Sequence, residues 1–124
     1  MHLEHVNITV PDPKATAKVL CGLFDWTVRW EGAAINGGYS VHVGNKDSYL
    51  ALYTPGKKLI TNGDPHYSRA GLNHIGIVVE DLDDAEAKVS AAGYATFNHA
   101  DYEPGKRFYF DGPDDIEYEV VSYA

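Results

Sequence analysis

The sequence predicts an α+β protein made of two tandem βαβββ units that form a curved, partly open mixed sheet. The first observation behind this prediction is a repeat, because residues 3–12 (LEHVNITVPD) recur as residues 72–81 (LNHIGIVVED). The second is that each copy is followed by one helical pattern and then three strand-like runs. An internal repeat in the sequence indicates a repeated structure, so we expect two copies of one structural unit.

The first unit begins with a strand over residues 3–10, in which apolar and polar side chains alternate. Asp12 and Pro13 are typical of a helix N-cap and a first-turn proline, so a helix is expected from there to about Phe24. Its inward side chains should be Ala15, Val19, Leu20 and Leu23. Glycine-containing turns then separate three expected strands: Trp26–Glu31, Tyr39–Gly44 and Ser48–Tyr53.

The second unit repeats this order. His74 lies in the opening strand, Asp81 caps the helix and Gly93 ends it. The remaining strands are expected at about Ala95–Asp101, Arg107–Asp111 and Ile116–Ser122.

We interpret the 124 residues as a single domain, with unit one at about 1–55, a linker at about 56–70 and unit two at about 71–124. The linker is rich in Gly, Pro and polar residues and is long for a simple connection. It is expected to be a solvated connector, or else to cover a pocket or wrap a neighbouring subunit. The long linker and an aromatic content of 12% also predict a homodimer.

Composition excludes several classes of partner. The net charge is −8 and basic residues form no run, which argues against nucleic acid and against anionic membrane surfaces. Apolar stretches are only strand-sized, so we expect no membrane span and no secretion signal. Cys21 is the only cysteine, and the absence of an intrachain disulfide fits a cytoplasmic location.

Alternation along the strands assigns side chains to one of two sheet faces, because residues two apart point the same way. The side expected to pack under the helices comprises Val6, Ile8, Val10, Ile75, Ile77, Val79, Phe108, Phe110, Ile116, Tyr118 and Val120. The opposite, open side then carries His5, His74, Tyr109, Glu117, Glu119 and Val121. If the two half-sheets curl toward each other, these side chains line one cavity.

Two repeat-equivalent histidines and one carboxylate, held on three strands, are the donors that an open metal site needs. Neutral imidazole and carboxylate suit Fe(II), Mn(II), Ni(II) or Zn(II), and three protein ligands leave positions for substrate. From alternation alone the carboxylate is Glu117 or Glu119. His42 and His99 are further candidates for the cavity rim, whereas His66 is expected to be a loop residue.

With these residues in place, the chain resembles the vicinal oxygen chelate superfamily, which includes glyoxalase I, extradiol dioxygenases, fosfomycin-resistance proteins and bleomycin-binding proteins. The most specific stretch is residues 108–119, FYFDGPDDIEYE, which is similar to the family's C-terminal Tyr-Phe-x-Asp-Pro-x-Gly-x-x-x-Glu pattern. Gly112 and Asp115 depart from that pattern. Aligned on Pro113, the resemblance implies that Glu119 is the carboxylate ligand, together with His5 and His74.

The resemblance also narrows the reaction. The family often takes a fourth ligand from the last strand of the first unit, but the equivalent residue here is Ala51, which disfavours a glyoxalase-type isomerase. Three ligands match extradiol dioxygenases and fosfomycin transferases, and Asp101 and Glu103 suit an anionic phosphonate badly.

The resemblance therefore implies an extradiol, catechol-type ring-cleaving dioxygenase using Fe(II) or Mn(II), with Zn(II) or Ni(II) as alternatives. Its substrate would be a small molecule with vicinal oxygens. Tyr109 would hydrogen-bond a substrate oxygen, and His99 would be an acid or base, since a cavity histidine precedes the tyrosine in the extradiol signature.

Two other functions stay open. One is a glyoxalase-like lyase or thiol transferase. The other is a non-catalytic small-molecule or drug-binding protein, in which aromatic side chains stack on a flat ligand or else simply pack in the sheet. The aromatic residues concerned are Trp26, Trp30, Tyr39, Tyr49 and Tyr53.

Overall fold

The computed structural model describes residues 1–61, 63–102 and 104–124, with only the backbone at position 102. Glu103, one of the residues set against a phosphonate substrate, lies outside this range. The chain divides into two compact units, Met1–Ile60 and Thr61–Ala124. No helix in the described part of the chain is long and apolar enough to cross a lipid bilayer.

Both units have the predicted order of elements. Unit one contains β1 (His5–Thr9), α1 (Pro13–Phe24), β2 (Thr27–Ala34), β3 (Gly38–Gly44) and β4 (Tyr49–Thr54). Unit two contains β5 (Ile75–Val78), α2 (Leu82–Ala91), β6 (Thr96–Tyr102), β7 (Gly105–Asp111) and β8 (Glu117–Ser122). The α+β class and the doubled βαβββ order are therefore confirmed, with His74 one residue ahead of its strand.

Each unit forms its own four-stranded mixed sheet. The strand orders are β1-β4-β3-β2 and β5-β8-β7-β6. In each sheet the first strand pairs in parallel with the last strand of the same unit, and the other pairs are antiparallel. The parallel pair is possible because the helix carries the chain back across the sheet before the next strand begins.

The two helices begin at the aspartates that the sequence indicates. The Asp12 Oδ1 atom accepts a hydrogen bond from the Ala15 amide at 3.1 Å, and Asp81 Oδ1 accepts one from the Asp84 amide at 3.0 Å. Each bond satisfies a backbone donor that has no partner within the first helical turn. The chain leaves α2 through Gly93, whose φ of 97° is accessible to glycine at little cost.

In unit one, α1 packs over the middle strands β3 and β4. Its buried residues are Pro13, Thr16, Ala17, Leu20 and Leu23, so the inward position expected for Ala15 is wrong. Val6 was also expected under the helix but is 41% exposed. The reason is that β1 is an edge strand, beyond the part of the sheet that the helix covers.

In unit two the predicted helix-facing side chains of β7 and β8 are buried. Phe108, Phe110, Tyr118 and Val120 have no accessible surface, and Ala85 and Val89 of α2 are buried on the same side. The rings of Phe110 and Tyr118 stack with their centroids 5.1 Å apart. This packing fixes the alternation of β7 and β8 and hence the residues left on their open face.

Strand β6 contains a bulge that changes the face of one predicted site residue. The register with β7 shifts by one residue between Phe97 and Ala100, and Asn98 within the bulge has a φ of 53°. His99 consequently faces the helix, where its ring lies over Phe108 and its Nε2 atom is 2.5 Å from Glu86 Oε2 of α2. His99, expected at the cavity rim as a candidate acid or base, therefore lies on the opposite face of the sheet from Tyr109.

Part of the expected linker is built into unit two. Asp64 accepts hydrogen bonds from the amides of His66 and Tyr67 and from the Ser68 hydroxyl. These bonds form a turn that brings the His66 Nε2 atom to 3.2 Å from Glu117.

The backbone conformation of Asn98 should limit which side chains are tolerated at position 98. Because valine pays a steric cost in the left-handed region, Asn98→Val should lower the free energy of unfolding by about 1–2 kcal/mol, whereas Asn98→Gly should cost little. Urea unfolding measures both, with Lys106→Val, on an exposed strand position, as the control. Equal stability of the two Asn98 variants would contradict the assigned backbone conformation.

Glu86 should make stability depend on pH. Hydrogen bonds from Thr96 and His99 lower the pKa of the Glu86 carboxyl below its ordinary value. A lowered pKa adds stability above the ordinary value, and this stability is lost as the pH falls through the lowered pKa. Glu86→Gln should therefore lower the free energy of unfolding by about 0.5–1 kcal/mol at neutral pH, since the pair is partly exposed.

That difference from wild type should shrink toward zero in acid. The matched control is Glu80→Gln, an exposed carboxylate just before α2. A Glu86→Gln deficit that stays constant from neutral pH to acid would contradict the proposed linkage.

Candidate functional site

The open face of unit two brings together three of the predicted site residues. Tyr109 and Glu119 are direct partners across β7 and β8, and the Tyr109 hydroxyl donates a 2.6 Å hydrogen bond to Glu119 Oε2. The His74 ring meets the Tyr109 ring edge-on, with centroids 5.7 Å apart. A base, a phenol and a carboxylate thus lie in one cluster.

Arg107 is a fourth member of this cluster, and the sequence argument missed it. Its Nη1 atom lies 3.3 Å from Glu119 Oε2, and the two side chains are only 11% and 15% exposed. The signal was available, because Arg107 lies two residues before Tyr109 in the same strand. Arg107 and Tyr109 both hold Oε2, while the other oxygen, Oε1, lies toward Gly76, which has no side chain.

His5 and His74 are held in the same way in their separate units. The Nδ1 atom of His74 is 2.7 Å from Oδ1 of Asn73, and that of His5 is 2.8 Å from Oε1 of Glu4. Both partners are oxygen acceptors, so Nδ1 carries a proton, and in the neutral form of the ring Nε2 has the lone pair. Each ring is therefore oriented by the residue that precedes it, with Nε2 left as a donor atom for a metal.

Stacking adds a second restraint on His5. The Tyr49 ring lies between the rings of His5 and His42, with centroid distances of 4.8 and 4.6 Å and interplanar angles of 18° and 25°. Glu4 also accepts a 3.3 Å hydrogen bond from the Tyr49 hydroxyl. The hydrogen bond from His5 is the main cause that lowers the pKa of Glu4, which keeps this carboxylate ionised.

The strand registers show which residues are equivalent in the two units. Ala51 pairs with Asn7, two residues after His5, just as Glu119 pairs with Gly76, two residues after His74. Position 51 is therefore the counterpart of position 119, as the sequence indicates, and it carries a methyl group in place of a carboxylate.

The same comparison of the two units can be made for the residues that pair across the neighbouring strands. His42 pairs with Ala51 and Trp30 pairs with His42, so they correspond to Tyr109 and Phe97 of unit two.

A cleft of about 490 Å³ lies on the open face of unit one. It is lined by Asn7, Trp30, Ala33, Ala34, Ile35, Ser40, His42 and Tyr53. Burial is the main cause that lowers the pKa of His42, which favours its neutral form. Of the other aromatic candidates, Trp26 packs against Phe24 of α1, and Tyr39 bonds Glu31 beside Lys14.

Glu117 has different surroundings from Glu119. It is paired with His66, at the edge of a cavity of about 350 Å³ to which Asp64, Asp111 and Asp115 also contribute. The described residues contain no group of three or more His, Cys, Asp or Glu side chains that could hold a metal ion.

Comparison with solved structures agrees with this fold. A glyoxylase/bleomycin resistance protein/dioxygenase domain from Frankia sp. EAN1pec is 22% identical, with a TM-score of 0.78 over 98% of this chain and 97% of that chain. TnmS3, an antibiotic binding protein from Streptomyces sp. CB03234, is 14% identical, with a TM-score of 0.73 over 100% and 97%.

A third similar structure contains a metal. It is a variant of the fosfomycin resistance protein FosX from Listeria monocytogenes in complex with Mn(II) and a dihydroxypropylphosphonic acid. It is 17% identical to this chain, with a TM-score of 0.72 over 97% of this chain and 90% of that chain.

Among curated proteins, none matches the chain. The profile of one protein family matches residues 4–110, most of the sequence, and this family is described as the Glyoxalase/Bleomycin resistance protein/Dioxygenase superfamily. That match and the doubled βαβββ fold establish that the chain belongs to the glyoxalase/bleomycin resistance protein/dioxygenase superfamily, which is the vicinal oxygen chelate family.

Proposed function

We propose that the protein is a metal-dependent enzyme that acts on a small molecule with two vicinal oxygens, and that its reaction is extradiol-type ring cleavage. His5, His74 and Glu119 would bind one divalent ion, Fe(II) or Mn(II). The observation that carries the proposal is that His5 and His74 make the same contact. Each ring is hydrogen-bonded through Nδ1 to the side chain of the residue before it.

The donor atoms fit such an ion. Two neutral imidazoles and one carboxylate suit Fe(II) and Mn(II), and a ligating histidine normally donates its other ring N–H to an oxygen. Arg107 and Tyr109 hold one oxygen of Glu119, which leaves Oε1 as a single-atom ligand. The proposed set rests on donor chemistry and on the resemblance to the family, since the described residues contain no preformed group of three such side chains.

When bound, the ion would supply Lewis-acid binding of the two substrate oxygens and of dioxygen. The side chains of the protein would orient the carboxylate ligand and contact the substrate. Tyr109 keeps Glu119 oriented through its proton, and its phenolic oxygen can still accept a hydrogen bond from a substrate hydroxyl. Arg107 places its fixed positive charge 3.3 Å from Glu119 Oε2. His99 has no part in this scheme, because it faces α2.

The number of ligands favours ring cleavage over isomerisation. A glyoxalase-type proton transfer needs a base within hydrogen-bond reach of the substrate carbon, and the family's fourth ligand fills that role. At the equivalent position, Ala51 offers no such group. Three ligands leave open positions for both vicinal oxygens and for dioxygen.

A second candidate is a binding protein without catalysis. The cleft beside Trp30 and His42 favours it, because this cleft does not depend on the metal ligands. One structure of the same fold is of an antibiotic binding protein. A homodimer remains part of the proposal for either function.

The ligand set can be tested by metal binding. His5→Ala, His74→Ala and Glu119→Ala should each weaken Mn(II) or Fe(II) binding by more than the roughly 10- to 100-fold that loss of an outer partner costs. Glu4→Ala and Asn73→Ala, which remove outer partners, should fall within that range. Anaerobic titration calorimetry measures all five variants.

Glu117→Ala is the matched control, since it removes a carboxylate from the same face and strand. It should leave metal affinity unchanged. Loss of the metal in Glu117→Ala and its retention in Glu119→Ala would overturn the assignment of the carboxylate ligand.

The reaction can be tested by turnover. Protein loaded anaerobically with Fe(II) should consume dioxygen with a panel of catechols, and Tyr109→Phe should reduce that rate. Wild-type protein with Ni(II) or Zn(II) should be inactive on methylglyoxal–thiol adducts, while Ala51→Glu should bind metal more tightly because it adds a ligand. Robust isomerase turnover by the wild type would contradict the extradiol assignment.

A further inference from the structure

We infer that the cleft on the open face of unit one binds a planar, uncharged aromatic ring system, stacked on Trp30, and that this binding needs no metal. The inference rests on the proposed function only in identifying that ring system as part of the substrate. It extends the substrate class from a single catechol ring to a larger planar one.

The first argument is that the Trp30 indole packs closely on Gly32. A Cβ atom placed on Gly32 would lie 2.8 Å from Cζ2 and 3.1 Å from Cη2 of Trp30, so the six-membered ring of the indole rests directly on the glycine. Even a methyl group at position 32 would push the ring away. Trp30 as a whole residue is still 49% exposed, so a large apolar side chain is held in place while much of the residue stays accessible.

The second argument is the geometry of the neighbouring ring. The His42 imidazole lies 5.0 Å from the indole, centroid to centroid, at an interplanar angle of 54°. Two rings at this angle do not cover each other face to face, so His42 borders the cleft beside Trp30 without stacking on the indole. Stacked and edge-on contacts of aromatic rings are both favourable, so a planar ligand gains from each wall.

The third argument is charge. The side chains that line the cleft include no Lys, Arg, Asp or Glu, and burial lowers the pKa of its single histidine, His42. Unit two differs here, because Arg107 and Glu119 occupy the positions that correspond to Ser40 and Ala51. An ionised ligand would lose its hydration in the cleft without gaining an opposite charge.

The polar groups of the cleft suit a ring that carries hydroxyls or carbonyls. Asn7 offers both a donor and an acceptor, and Ser40 offers a hydroxyl. The Tyr53 hydroxyl donates its proton to the Ile35 carbonyl at 3.0 Å, so its oxygen remains an acceptor. A volume of about 490 Å³ falls within the range of small-molecule sites.

The test uses metal-free protein, treated with a chelator, and a naphthalenediol with adjacent hydroxyls as the probe. Titration calorimetry should detect one site that prefers this probe by at least roughly tenfold over cyclohexanediol, which is not planar, and over dihydroxybenzoate, which is anionic. Trp30→Leu should weaken binding roughly tenfold. Gly32→Ala should weaken probe binding as well, because the added methyl group would displace the indole.

Trp26→Phe is the matched control, since Trp26 packs against Phe24 and does not line the cleft. Its affinity for the probe should equal that of the wild type. Circular dichroism of Trp30→Leu and Gly32→Ala checks that each variant is folded before its affinity is compared.

The outcomes separate this inference from the proposed metal site. His74→Ala should lose the metal and keep the probe, whereas Trp30→Leu should keep the metal and bind the probe roughly tenfold more weakly. No binding of the naphthalenediol to the metal-free wild type would overturn the inference, as would equal affinity of wild type and Trp30→Leu. Failure of Mn(II) and Fe(II) to bind would overturn the proposed function alone.

Discussion

The site depends on the parallel pairing of the first and last strands in each unit. This pairing places Asn7 beside Ala51 and Gly76 beside Glu119, always two residues after a histidine. Since side chains alternate along a strand, the histidine and the residue at position 51 or 119 must share the open face. A shift of the register by one residue would move that whole set to the opposite face of the sheet.

The two units share a backbone plan but divide the chemistry between them. In unit two Tyr109 and Glu119 pair across β7 and β8, and Arg107 lies two residues before Tyr109 in β7. The resulting cluster is charged and closely hydrogen-bonded. In unit one the corresponding positions are neutral, and a cleft replaces the cluster. A duplicated fold permits this division, because once each half has its own packed core the open faces can change independently.

The surroundings of Glu119 affect how it can act. A carboxylate that is largely buried needs compensation for its lost hydration, and Arg107 and Tyr109 provide it. Those same groups bind Oε2, while Oε1 is directed toward Gly76. Glu117, only two residues away, is paired with His66 from the preceding loop, and this difference in partners distinguishes two otherwise similar acidic residues.

The sequence by itself determined the doubled architecture, the helix starts and most of the face assignments. Repetition, capping residues and period-two alternation are local signals, and they placed Tyr109, Glu119 and Ala51 correctly because β4, β7 and β8 are regular strands under a helix. The resemblance of residues 108–119 to a family pattern then selected Glu119 over Glu117, a choice that alternation leaves open.

Only the tertiary structure decided the position of His99, the exposure of Val6 and the contact between Arg107 and Glu119. A single extra residue at the Asn98 bulge reverses the face of His99, and alternation has no means of detecting it. Val6 is exposed because the helix covers the centre of the sheet and not its edge. The Arg107–Glu119 pair depends on which residues of neighbouring strands lie opposite each other, and that register is set by packing across the whole unit.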